Sequence, residues 1–116
     1  MKKVRVILSK EAELAFKELN EQAVHSKINK SILKSIKNKV ELIKINPHYG
    51  DPVKKELIPK KYLEEYSVTN LFHIELSNFW RMDYTLKNSD EIEVIAFVLS
   101  IVDLDKYNKI YCYKKN

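Results

Sequence analysis

The stretch Asn70–Leu86, NLFHIELSNFWRMDYTL, decides the fold. Apolar and polar residues alternate on either side of its middle, the period of half-buried β-strands. The question is where the chain turns. A two-residue turn at Asn78–Phe79 would set Ser77 opposite Trp80 and Leu76 opposite Arg81. Every apolar residue would then oppose a polar one, and neither face could be buried. A three-residue loop, Ser77–Asn78–Phe79, pairs Leu76 with Trp80, Ile74 with Met82 and Phe72 with Tyr84. The other face then pairs Glu75 with Arg81 and His73 with Asp83. A one-residue slip exchanges the faces of a strand, so burial selects the three-residue loop. Asn78 also tolerates the left-handed backbone that such loops use.

Four chargeable residues thus share one face. As cross-strand pairs they contribute about 0.2–1 kcal/mol each, which accounts for them without any further role. They become candidates for a site if that face stays open. Arg81 then sits on the open face as the only Arg in the second half of the chain.

The segments around the hairpin supply the remaining elements. Val4–Ser9 is β-branched and reads as a first strand. Ser9 is a helix N-cap, with Glu11 and Glu13 in the first turn where the helix dipole favours acids. Ala12, Phe16, Leu19 and Ala23 recur at helical spacing, predicting a first helix over Lys10–Val24. A second helix is predicted over Lys27–Ile45, with Ile28, Ile32, Ile36, Val40 and Ile43 as its apolar stripe. Lys27, Lys30, Lys34 and Lys37 lie almost opposite that stripe at about 100° per residue. They form either a solvated face or a stripe that follows a phosphate backbone. Pro47, Gly50 and Pro52 end the helix in turns. Pro52–Tyr66 reads as the least regular stretch, with the pairs Lys54–Lys55 and Lys60–Lys61 balanced by neighbouring acids. The turn Lys87–Glu91 leads to a last strand, Ile92–Ile101, apolar on both faces and therefore central in the sheet. A short helical turn near Leu104–Asn108 and an aromatic end follow. The tyrosines of that end, Tyr111 and Tyr113, are expected to pack their rings and point their hydroxyls outward. Cys112 between them is expected to be a buried or edge filler, and Lys114 and Lys115 a basic or merely soluble tail.

The order β-α-α-β-β-β predicts an α+β fold. It is a twisted, mostly antiparallel four-stranded sheet packed on two N-terminal helices, with the first strand beside the last. The 116 residues fit a single domain spanning 1–116. Hydrophobic residues make up 45%, enough for a core, so wholesale disorder is not expected. The balance of 21 Lys and Arg against 16 Asp and Glu, net +5, favours polyanionic partners such as nucleic acid or an acidic protein. One cysteine excludes an intrachain disulfide and suits a reducing, cytoplasmic setting. His25, His48 and His73 lack zinc-motif spacing. The N-terminal segment MKKVRVILSKEAE has no long apolar core, so no signal peptide is expected. The apolar run Val94–Val102 is too short to span a bilayer, so no membrane partner is expected.

The β-α-α-β-β-β order, NPHYG closing the second helix, FWRMDYTL as an Arg-bearing strand and the tail VDLDKYNKIYCY together resemble the RelE/ParE superfamily of toxins from type II toxin–antitoxin modules. The resemblance covers nearly the whole chain. It implies one of two activities: ribosome-dependent cleavage of mRNA in the RelE manner, without metal or cofactor, or inhibition of DNA gyrase in the ParE manner. A non-catalytic binding protein on the same fold is the third possibility. It also implies a cognate antitoxin that wraps the toxin with an acidic or amphipathic segment. On the nuclease branch Arg81 matches the family's strand Arg and would hold the scissile phosphate. Lys54 and Lys55 match basic loop residues that stabilise charge or move a proton, and Tyr107 matches a C-terminal Tyr that orients the nucleotide. Glu75 or His73 is a conceivable base, with His73 otherwise a structural partner of Asp83. Where such members carry a second Arg or a His after the last strand, this chain has Val102, Asp103 and Leu104. Lys106, Lys109 or a Tyr is then left as the acid. Lys27, Lys30, Lys34, Lys37, Lys60, Lys61, Lys106 and Lys109 are the candidate RNA-contacting lysines.

Overall fold

The computed structural model describes residues 3–89 and 93–113. The end of the predicted turn (Asp90, Glu91), the predicted strand start Ile92, and Lys114 and Lys115 lie outside the described residues. In chain order the elements are β1 (Lys3–Leu8), α1 (Lys10–Ala23), α2 (Lys27–Ile45), β2 (Asp51–Pro52), α3 (Lys60–Tyr66), β3 (Phe72–Glu75), β4 (Arg81–Asn88), β5 (Glu93–Val102) and α4 (Leu104–Ile110). Single turns of 3-10 helix lie at Lys55–Leu57 and Ser77–Phe79.

The class is α+β, but the sheet has five strands, in the order β1-β5-β4-β3-β2, and is mixed. β1 runs parallel to β5, while β2, β3, β4 and β5 pair antiparallel in sequence. The expectation of four strands missed the two-residue β2, which Pro52 confines to an edge. The expected neighbourhood of first and last strands holds, and Arg5 pairs across it with Glu93 at 3.2 Å.

The hairpin register is the one that burial demands. Phe72 faces Tyr84, His73 faces Asp83, Ile74 faces Met82 and Glu75 faces Arg81. The loop Ser77–Phe79 takes two left-handed residues, Asn78 (φ 56°) and Phe79 (φ 63°).

α1 and α2 cover one face of the sheet. Ser9 caps α1, its Oγ accepting from the Ala12 N–H (3.1 Å) and donating to the Leu99 carbonyl (2.8 Å). α2 buries Ile32, Leu33, Ile36 and Ile43 against Phe72, Ile74, Met82, Tyr84, Ala96, Val98 and Ile101. Ile28, expected in the stripe, is 59% exposed, so burial on α2 begins at Ile32. Gly50 sits where an added Cβ would lie 2.9 Å from the Tyr84 ring, and its N–H donates to the Tyr84 hydroxyl (2.9 Å). That hydroxyl donates to the Pro47 carbonyl (2.7 Å), so the turn after α2 is clamped to the sheet.

The second face is not the open platform expected. The stretch Pro52–Tyr66, expected to be the least regular, is irregular from Val53 to Pro59 apart from the 3-10 turn but closes in α3 (Lys60–Tyr66), and with the C-terminal segment it lays a second apolar cluster on the sheet. That cluster comprises Ile58, Tyr62, Val68, Leu71, Leu99 and Tyr111. A bulge in β5 makes this possible. Asp83 pairs with Ser100 and Tyr84 with Val98, leaving Leu99 as the extra residue. Val98 and Ile101 enter the first core, while Leu99 enters the second. The strand that is apolar on both faces is thus covered on both, and the β3–β4 end of the second face reaches solvent, as do Arg5 on β1 and Lys87 on β4.

Candidate functional site

The site lies where the polar hairpin face emerges from under α4. Asp83 is 1% exposed and sits mid-strand in β4, so its carboxylate must find donors inside the protein. It has two. The Tyr111 hydroxyl donates to Oδ2 at 2.6 Å, and His73 Nδ1 lies 3.2 Å from Oδ1. An ionised carboxylate only accepts, so beside it Nδ1 is the donor, and the other ring nitrogen, Nε2, makes no hydrogen bond among the described residues. Tyr111 therefore does not point its hydroxyl outward as expected, because the buried carboxylate draws it in. Cys112, expected to be a buried or edge-strand filler, is exposed with φ 60° in the left-handed turn after α4.

Tyr107, carried by α4, is the hub of the constellation. Its ring centroid lies 5.1 Å from that of His73 and 4.4 Å from that of Tyr111, and the Arg81 guanidinium sits 5.7 Å above it. Asp103 caps α4 by accepting from the Lys106 N–H (2.9 Å), which fixes where Tyr107 projects. Burial, and then the Asp83 charge, push the Tyr107 phenol up to about 12. It therefore stays protonated at neutral pH and does not serve as a base. Burial likewise raises Tyr111, reinforced by Asp83.

Arg81 opens β4 with 14% of its side chain exposed. It donates to the Trp80 carbonyl (3.2 Å) and lies 3.7 Å from Glu75 Oε1. The latter distance is beyond a hydrogen bond, and Glu75 is 71% exposed, so this pairing is weak.

Two clefts meet at His73. A polar one of about 420 Å³ is lined by Lys39, Tyr49, Asp51 and Glu75 as well as His73. An aromatic one of about 270 Å³ is lined by Lys54, Leu57, Tyr107 and Tyr113, again with Asp51 and His73. The divide between them is the β2–β3 pair Asp51–His73.

The structure therefore sets Lys54 and Tyr107 with His73 along the aromatic cleft, and Arg81 against the Tyr107 ring, although Arg81 itself lines neither cleft. Lys55 does not line either cleft. Lys27, Lys30, Lys34 and Lys37 are exposed on α2, which covers the opposite face of the sheet. Lys61 is tied to Glu11 at 2.9 Å, joining α3 to α1, and Lys60 lies 3.6 Å from Glu64. Lys106 and Lys109 are exposed on α4 beside Tyr107 without lining a cleft. Sequence reasoning did not reach Lys39, Tyr49 or the bond from Tyr111 to Asp83. The alternation that set Asp83 opposite His73 was the one signal that pointed there.

Among the described residues no helix is long and apolar enough to cross a membrane. No protein-family model, curated protein or solved structure matches this chain.

Proposed function

We propose that this chain is the toxin of a type II toxin–antitoxin module, a RelE-like nuclease that cuts mRNA on the ribosome. The observation that carries the proposal is one cleft lined by His73, Lys54 and Tyr107, with the Arg81 guanidinium against the Tyr107 ring. In the reaction a ribose 2′-OH attacks the adjacent phosphorus. A 2′,3′-cyclic phosphate forms as the bond to the 5′-oxygen breaks. The transition state carries extra negative charge on the phosphoryl oxygens, which a fixed guanidinium stabilises better than water does. Arg81, packed on Tyr107 and weakly held by Glu75, supplies that group. Lys54, which lines the cleft with His73 and Tyr107, is the candidate to give the departing 5′-oxygen its proton. It replaces Lys106 and Lys109 in that role, since neither of these lines a cleft. The net charge of +5 and the exposed lysines of α2 and α4 support binding to rRNA and to an acidic antitoxin segment.

Expression in cells tests the proposal. The wild type is expected to arrest growth with transcripts cut within codons, and Arg81→Ala is expected to abolish both. Arrest accompanied by DNA-damage signalling with intact transcripts would instead assign the ParE-like gyrase activity.

A further inference from the structure

The cleavage chemistry needs a proton acceptor for the 2′-OH, and Arg81, Lys54 and Tyr107 do not provide one. Arg81 is always charged. The Tyr107 phenol is held protonated by burial. Two carboxylates flank the clefts, Asp51 and Glu75, both on exposed residues, and Glu75 is drawn to the Arg81 guanidinium at 3.7 Å. His73 differs from both. Its side chain is 16% exposed and lines both clefts, and Tyr107 packs on its ring. Its Nδ1 is engaged by a carboxylate that is itself buried and itself held, by Tyr111 at 2.6 Å. Among the described residues no hydrogen bond is made to Nε2. A buried Asp on a surface hairpin costs desolvation that a Ser or Thr at the same position would avoid. A fixed tautomer and ring direction is what that cost provides.

We propose that His73 is the general base of the proposed cleavage, with Nε2 as the proton acceptor, and that Asp83 and Tyr111 are its positioning residues. This rests on the nuclease reading above and adds the group that reading lacks. Nε2 takes the 2′-OH proton as the 2′-oxygen bonds to phosphorus. The electron pair of the breaking P–O bond leaves on the 5′-oxygen, which takes a proton from the Lys54 ammonium. The imidazolium that forms is stabilised by Asp83 across the 3.2 Å contact. Solvent then returns His73 and Lys54 to their starting states.

The test is single-turnover cleavage of a defined message on programmed ribosomes. His73→Ala is expected to lose about 10²–10⁴-fold in rate, the span typical of a general base. Added imidazole is expected to restore part of the rate in proportion to its concentration. His73→Gln fills the site without a basic nitrogen and is expected to be equally slow, which guards against an unfolded Ala variant. Asp83→Asn is expected to lower the rate while ribosome binding is retained. The proposal is overturned if His73→Gln cuts within threefold of wild type. A His73→Ala variant that is folded and slow but untouched by imidazole also overturns it, since a purely structural role gives that result. In both cases the wild type still cuts, and the nuclease reading survives. A wild type that leaves the message intact removes the nuclease reading and this inference with it.

Discussion

Tyr111→Phe removes one oxygen and little else. The ring stays packed beside Tyr107 at 4.4 Å, so the cavity left is at most that of a hydroxyl. What is lost is a 2.6 Å hydrogen bond to a carboxylate that is 1% exposed. Hydrogen bonds to charged groups contribute about 1.5–3 kcal/mol, and no water reaches Asp83 to take the place of the phenol. We therefore expect a loss of about 2 kcal/mol. Unfolding entropy for a chain of this length is about 0.24 kcal/mol/K, so the midpoint should fall by about 8 °C. Urea titration followed by tryptophan fluorescence measures the change, with Tyr113→Phe as the control. Tyr113 is 46% exposed, and its substitution is expected to stay within about 0.5 kcal/mol of wild type. If Tyr111→Phe also stays within that margin, Asp83 is not held by Tyr111, and the support inferred for His73 fails.

Other outcomes follow from the same structure. Tyr62, Tyr84, Tyr107 and Tyr111 all have phenols raised above 10.0, with burial as the first cause. The unfolded chain then releases these protons at lower pH than the folded one. Their contribution is complete below about pH 10 and is lost as pH rises beyond it, so urea midpoints should be flat from pH 8 to 9.5 and fall steeply above 10. Gly50→Ala drives a methyl to 2.9 Å from the Tyr84 ring and should cost about 1–3 kcal/mol in urea titration. Phe79→Gly relieves a left-handed residue (φ 63°) whose ring is 71% exposed, and should raise the thermal midpoint by the equivalent of about 0.5–1 kcal/mol.

What could be read from sequence was set by periodicity. The hairpin register followed because alternation on both strands admits one loop length. α2 followed because nineteen residues carry a regular stripe, and Ser9 announces the start of α1, whereas the Ser26 cap of α2 emerged only in the structure. The second layer was hidden for the converse reason. α3 and α4 have seven residues each, too few for a stripe to stand out from a loop. The β5 bulge was also silent, because Val98, Leu99 and Ile101 are all apolar and a change of face leaves no mark among them. The open platform was therefore inferred from two helices alone, although β5, apolar on both faces, already called for cover on both. Arg81, Tyr107 and Lys54 came from a resemblance. The bond between Tyr111 and Asp83, 28 residues apart, follows from no local pattern.

The central claim is that the β3–β4 face is a site for cutting message, and one measurement addresses it directly. A defined message is translated in vitro with wild-type protein, with Arg81→Ala, or with neither, and the 5′ ends of the message are mapped. The account expects cuts within codons, only on translated message, that vanish with Arg81→Ala. Intact message and unhindered translation with folded wild-type protein would contradict it, and would leave Glu75–Arg81 and His73–Asp83 as cross-strand pairs that hold the sheet and nothing more.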